Sequence, residues 1–375
     1  MGNTNFSSSN GLTVKAWSER TLYDFTSDKY LLGQMIKAGV IRRQDELSRK
    51  SGDQVTIPFL NRITQMGFVG NAVALGNESP LLYYNDALVI NQLRQAVSIP
   101  NKRTIDAQRV QMNLSEDTYK SLSDWHKVRG VLGALNQLAG NNATTIAYDS
   151  VNYSGNDRLQ VTGLNSAIAP STASGVTRIV RPNSLTTDQA VGADTTATMK
   201  LQYILDCETI AQTARPYIPP LAENPADGVK YHFYVHIQQY NNLLQDTTSP
   251  YQYRDIQNAM ITSGRGSGGI ERSFVFSETK VFCTDKIPLG VHSGTSAAVA
   301  NCRRAIFAGA DAGAISFGQG FSGSGDAVPG FDIMEDTWDI GQQRLIAMSG
   351  IYGIKKLQFN SNDNGSIVVS TYSSI

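Results

Sequence analysis

The chain has 375 residues, enough to enclose a large core, and its length allows two or three domains. Lys plus Arg and Asp plus Glu number 32 each, which excludes the basic excess of a dedicated nucleic-acid binder and the acidic tail of a protein that seeks basic partners. Three scattered cysteines, Cys207, Cys283 and Cys302, have no Cys-x-x-Cys spacing and give neither a disulfide framework nor a zinc knuckle, and no export signal or run of about 18 apolar residues is visible.

Residues 1–11 are polar, rich in Ser and Asn, with the composition of an arm that orders only against something else. Trp17, Leu22, Phe25, Leu32, Met35 and Ile36 follow in a broken helical pattern, and 44–50 is a short charged helix. The apolar residues of the first fifty are too few for a core of their own, so this stretch reads as an arm.

From Gly52 to Leu60, Val55, Ile57 and Phe59 alternate with Gln54, Thr56 and Pro58, which is strand periodicity. A return arm from Ala87 to Pro100 alternates again, and Pro100 ends the ladder because it has no N–H to donate. Between the two lies a Gly-, Asn- and Ala-rich tip. A two-stranded ribbon is unstable alone, so its apolar side chains Phe68, Val69, Leu75, Leu81, Leu82, Tyr83 and Tyr84 require another surface, one that a second subunit can supply.

A long helix follows. Asn113 and Glu116 have the spacing of a capping box, and Leu122, Trp125, Val128, Leu132, Leu135 and Leu138 form one apolar stripe. Gly140 with Asn141 and Asn142 supplies the stop, giving a rod of roughly 37 Å at about 1.5 Å per residue.

Residues 141–194 are rich in Ser, Thr, Gly, Asn and Ala, with strand-like pieces at Arg158–Val161 and Val176–Val180, as in a loop-bearing insertion. A helix is expected from Met199 to Ala214, ended by Pro216, Pro219 and Pro220. Strands are expected at Tyr231–Ile237, Phe274–Phe282 and Ala305–Ala308, with a helix at Asp255–Ile261. Ile333–Ala347 and Gly350–Phe359 read as a terminal antiparallel pair. Helices and strands intersperse without the regular alternation of a doubly wound sheet, which predicts an α+β fold.

Signatures of chemistry are weak. Gly264–Gly269 and Gly318–Gly323 both match G-x-G-x-x-G, but the first has a helix before it and a strand after it, and the second runs into a Gly/Ser loop; a dinucleotide site needs the opposite order. His232 and His236 sit in an aromatic, β-branched segment, where residues four apart in a strand are about 13 Å distant, too far for one metal ion. His126 and His292 have no acidic or sulfur partner at a telling spacing. No catalytic, cofactor-binding or metal residue is assigned.

The order of the parts resembles the major capsid proteins of tailed bacteriophages. The residues that carry the resemblance are the polar arm, Gly52-Asp53-Gln54-Val55-Thr56 opening a long hairpin, Leu122-Ser123-Asp124-Trp125 on the long helix, Trp338-Asp339-Ile340-Gly341, and Gly350-Ile351-Tyr352-Gly353-Ile354-Lys355-Lys356. Within these, the pattern is similar to the N-four-like podovirus coat proteins, although Asp-Tyr is more usual there than Trp338-Asp339. The resemblance spans about residues 12–360. It implies the Hong Kong 97-like fold: an N-terminal arm (1–50), an E-loop hairpin (51–100), a P-domain (101–214) with spine helix 114–139 and insertion 141–194, an A-domain (215–330), and a return to the P-domain with the C-terminus (331–375).

It also implies self-assembly into an icosahedral shell of pentamers and hexamers around double-stranded DNA, met by non-specific proximity. Further implied partners are a portal, a scaffolding protein and a decoration protein on some shells; no cofactor and no membrane enter. The E-loop residues Phe68, Val69, Leu75, Leu81, Tyr83 and Tyr84 are the expected assembly contacts. An encapsulin-like compartment shares the fold, and a soluble α+β enzyme with an unconventional site is the alternative of another class. With no charge-rich helical extension at the N-terminus, the scaffold is expected to be a separate protein and the coat chain uncleaved. With no Lys in residues 51–101, the shell is expected to hold together without E-loop isopeptide bonds.

Overall fold

The computed structural model describes residues 22, 25–27, 30–48, 51–60, 63, 67, 69, 78, 80–101, 104–109, 113–172, 177–221, 228–247, 249, 252–255, 258, 273–319 and 330–374. The first half contains α1 (Leu31–Lys37), β1 (Ile41–Gln44), β2 (Gln54–Leu60), β3 (Tyr83–Val89), β4 (Asn91–Pro100), α2 (Ile105–Arg109), the spine helix α3 (Leu114–Leu138), β5 (Thr145–Tyr148), β6 (Val151–Ser154), β7 (Ile179–Val180) and α4 (Asp188–Ala193). The second contains α5 (Gln202–Thr213), β8 (Tyr231–His236), α6 (Ile237–Gln245), β9 (Phe274–Phe276), β10 (Thr279–Thr284), β11 (Leu289–Val291), β12 (Ala298–Ala308) and β13 (Gly313–Phe317). It closes with β14 (Phe331–Trp338), β15 (Gln343–Lys356), β16 (Gln358–Phe359), β17 (Asn362–Asp363) and β18 (Ser366–Tyr372).

Two sheets organise these elements. In the five-stranded sheet the order is β1-β13-β15-β14, with β4 also on β15. β15 is its axis: β4 runs antiparallel along residues 343–352 on one side, while β14 covers 343–350 and β13 covers 352–356 on the other. The seven-stranded sheet has the order β7-β18-β12-β8-β10-β9, with β11 on β12.

The spine helix lies where the two sheets meet. Leu135 and Leu138 share one cluster with Ile315, Phe317, Tyr352 and Ile354 of the first sheet and with Tyr234 and Ile306 of the second. From Arg129 to Gly140 every residue is buried, so the single expected stripe describes only the first half of the helix. Asn113 is the N-cap, as expected, but its side chain makes no capping bond; Glu116 pairs instead with Lys120 at 2.9 Å. Gly140 ends the helix at φ +60, where a Cβ would lie 2.5 Å from the Ile168 carbonyl oxygen.

Four expectations are corrected. The first fifty residues are not only an arm: Phe25, Leu32, Met35, Val40 and Ile41 are buried in the main cluster, and β1 pairs in parallel with β13. Phe25 packs against Phe331 and Tyr352, with ring centroids 5.2 and 5.4 Å away, so these few apolar residues complete a core that the rest of the chain leaves open.

The return arm of the hairpin divides at Ile90. β3 pairs with β2, whereas β4 leaves the hairpin and joins β15. The buried parity changes with it, from Leu88 to Leu93 and Ile99. The terminal pair turns at residues 339–342, not after Ala347, because the register sets Trp338 opposite Gln343. Arg158–Val161 belongs to a 3-10 helix, Gly155–Val161, not to a strand.

α6 and β18 are among the elements without a sequence expectation. The chain leaves β8 directly into α6, with His236 as N-cap, and residues 366–372 form β18 inside the seven-stranded sheet. Residues 331–375 therefore serve both sheets. The insertion contributes β7, which pairs with β18. Most of the expected helix Asp255–Ile261 lies outside the described residues, as do Gly264–Gly269 and residues 320–323 of the second glycine motif.

Candidate assembly surface

The hairpin begins as a ribbon with one buried and one exposed face. Val55, Ile57 and Leu88 point inward against Leu47, Ala314 and Leu357, while Gln54, Thr56 and Pro58 are exposed. The period of two that was legible in the sequence is what divides the ribbon in this way.

Its base is latched by polar contacts. Lys355 Nζ donates to Asp86 Oδ1 at 2.5 Å and to the Ala87 carbonyl at 2.8 Å, and the Gln358 amide donates to Asp86 Oδ2 at 3.0 Å. Asn165 Nδ2 donates to the Val89 carbonyl at 2.8 Å. Gly353 lets the two backbones meet, since a Cβ there would lie 2.1 Å from the Val89 oxygen. The neighbouring Lys356 is fully buried and pairs at 2.9 Å with an equally buried Asp363. Burial presses its ammonium below the usual range, with Asp363 opposing. The Gly353-Ile354-Lys355-Lys356 motif is thus a structural lock: close approach, hairpin latch, buried ion pair.

Beyond the latch, apolar side chains leave the body. Leu60, Ile63, Leu81 and Leu82 are exposed, Val69 is 90% accessible and Tyr83 65%. Tyr84 behaves differently. It is half-buried, its ring 5.0 Å from that of Phe359 in the same chain, and Phe59 packs edge-on against the same Phe359 at 6.2 Å. Phe68 and Leu75 lie outside the described residues. On the spine helix, Leu122 packs with Ile99, Ile333, Ile346 and Met348, and Leu132 with Ile146, Tyr153 and Val161. Leu135 and Leu138 enter the main cluster; Val128 and Trp125 are half-buried beside these groups.

Two further surface features had no sequence expectation. The β14–β15 turn raises Trp338 and Ile340 into solvent, with accessibilities of 70% and 105%. A groove of about 1250 Å³ runs between the far end of the hairpin ribbon and the Arg215–Pro220 segment, with Phe359 and Asn360 in its wall. The turn carried a legible signal, an Asp-x-Gly between two alternating stretches. The groove did not, because its walls come from three distant parts of the chain.

A family model described as phage capsid protein matches residues 5–375. The chain belongs to the phage capsid protein family. It is a structural subunit of a virion shell, not an enzyme, and many copies of it make that shell. Its α+β fold is the Hong Kong 97-like capsid fold. The capsid protein of Ralstonia phage GP4 is similar at TM-score 0.66 and 21% identity, covering 91% of this chain and 89% of that one. That of cyanophage Pam1 is similar at TM-score 0.62 and 17% identity, over 89% and 88%. The head protein of Helicobacter pylori bacteriophage KHP40 is similar at TM-score 0.57 and 12% identity, over 88% of each. No curated protein sequence matches the chain.

The histidines of this capsid protein serve its fold. His232 lies on β8 with its ring against Phe282, and His236 Nδ1 accepts from the Gln238 amide at 3.1 Å, capping α6. His292 Nδ1 accepts from the Gly294 and Thr295 amides of a turn. Among the described residues no cluster of three His, Cys, Asp or Glu could hold a metal ion, and no helix is long and apolar enough to cross a membrane.

Proposed function

We infer that this capsid protein is the major coat subunit of an icosahedral head, its copies set as pentamers and hexamers around packaged double-stranded DNA. One observation carries the reading: a hairpin whose base is latched to the body at Asp86 and Lys355 and whose continuation exposes Leu60, Val69, Leu81 and Tyr83. Each neighbour that covers such side chains removes them from water at roughly 25 cal/mol per Å² of apolar area, repeated at every copy in the shell.

We assign that contact to Phe68, Val69, Leu75, Leu81 and Tyr83, with Tyr84 anchoring the hairpin to its own subunit. The spine-helix residues serve the subunit core. A separate scaffolding protein, a portal and, on some shells, a decoration protein complete the partners. DNA is met by proximity, in keeping with equal numbers of acidic and basic residues. The Gly52-Asp53-Gln54-Val55-Thr56 opening and the Lys355-Lys356 end support a place beside the N-four-like podovirus coat proteins.

The test is expression of the chain with and without a phage scaffolding protein, followed by negative-stain microscopy. Closed shells tens of nanometres across are expected. Monomers or small oligomers under every condition would overturn the reading.

A further inference from the structure

We propose that the Trp338–Gly341 turn of one copy seats in the groove between the far end of the hairpin ribbon and the Arg215–Pro220 segment of another. The proposal rests on the shell reading above and names the two surfaces that would meet within it.

The turn is built to be presented. Asp339, Ile340 and Gly341 all have positive φ, 53°, 51° and 86°. For a β-branched Ile this backbone is strained, and such strain persists only where the surroundings hold it. Here they do: the Asn101 amide donates to the Gln342 carbonyl at 2.9 Å and its side chain to the Gly341 carbonyl at 2.8 Å. The result is a projecting turn, a knob whose Ile340 is fully exposed and whose Trp338 is mostly in solvent.

The groove has complementary properties. Phe59, Leu60, Leu81, Tyr217 and Phe359 supply apolar walls. Its volume, about 1250 Å³, exceeds the ~300–1,000 Å³ of pockets that hold small molecules, so it suits a polypeptide turn. Its one charge is Arg215, whose guanidinium lies 5.6 Å from the Tyr217 ring and has no carboxylate partner among the described residues. The knob carries Asp339, and Asp336 precedes it on β14; neither is paired with a cation among the described residues. An aromatic acidic knob thus faces an aromatic basic groove.

Knob and groove cannot meet within one subunit. The knob precedes Gln343, the first residue of β15, and Phe359 in the groove wall follows Lys356, the last. The 14 residues of that strand span about 43 Å at ~3.3 Å each. The contact must therefore join two copies, head to tail, the kind of unlike-patch contact that closes rings.

The experiment places Cys at both surfaces, Ile340→Cys with Tyr217→Cys in the full-length chain, and oxidises assembled particles mildly. A ladder of disulfide-linked multimers on non-reducing gels is expected from the double variant and not from either single one. Particles that form normally yet yield only monomer bands would overturn the proposal, whereas absence of particles from the unaltered chain would instead overturn the shell reading. Should the double-Cys chain alone fail to assemble, charge exchange decides. Arg215→Glu is expected to lower particle yield several-fold, and Asp339→Arg in the same chain to restore most of it; no restoration would overturn the proposal.

Discussion

Arg304 Nε donates to Asp188 Oδ2 at 2.7 Å, a pair withdrawn from solvent between the seven-stranded sheet and the end of the spine helix. The same guanidinium donates from Nη1 to the Gly140 carbonyl at 2.8 Å and to that of Ala139 at 3.3 Å, so it also caps the spine helix, where a cation suits the negative end of the dipole. Asp188 is completed by Arg181 Nε at 2.9 Å and by the Val291 amide at 3.1 Å. Burial alone would raise its pKa; Arg304 and Arg181 hold it below the ordinary carboxylate range instead. One ion pair thus rivets helix α3, helix α4 and strand β12 together.

Removing one partner leaves the other charged and buried. Asp188→Asn and Arg304→Met should each cost about 3–5 kcal/mol of subunit stability. Denaturant titration of the isolated subunit checks this; a midpoint unchanged from the parent would show the pair to be dispensable.

His126 sets an acid limit. Its ring is fully buried between Trp125 and Phe331, and burial pulls its pKa from 6.5 to about 4; the Met348 carbonyl opposes the shift and Arg129 adds to it. The unfolded chain therefore takes up the proton first. Stability should be complete above the unfolded value of 6.5 and decline as pH falls toward 4, by about 3 kcal/mol in all. His126→Asn should flatten thermal unfolding temperature against pH across this window. His236 shifts in the same direction, so some slope remains.

Adjacent tyrosines should separate assembly from folding. Tyr84→Ala removes a ring packed on Phe359 and should lower subunit stability by about 1–2 kcal/mol. Tyr83→Ala, on the exposed face, should change subunit stability by less than about 0.5 kcal/mol while particle yield falls. Circular dichroism melts and sedimentation of the two variants distinguish these outcomes, and identical behaviour would remove the distinction.

Residues 51–101 contain no lysine, so no ε-amine lies on the hairpin to form an isopeptide bond with a neighbour. Boiled particles should run as one band near the chain mass on denaturing gels. A ladder of covalent rings would show a cross-link from elsewhere in the chain.

Local pattern determined a good deal by itself. The alternation of Val55, Ile57 and Phe59 marks a ribbon with one buried face, and the spacing from Leu122 to Leu138 marks the spine helix, because side-chain direction along a strand or helix follows from backbone geometry alone. Motif order pointed to the capsid family. What the pattern could not decide is where each face lands. Tyr83 and Tyr84 are identical in composition, yet only the position of Phe359, 275 residues after Tyr84, makes one an anchor, while the other stays exposed. Phe25 looked like part of an arm until Phe331 and Tyr352 closed over it. The C-terminal strand β18 joins the seven-stranded sheet through β12 and β7, partners about 60 and 190 residues upstream, and such pairings depend on tertiary closure, not on local propensity. Lys355 and Lys356 stood in the sequence as a bare motif. Only the fold shows that one latches the hairpin and the other is buried against Asp363, since both contacts require strands brought together from across the chain.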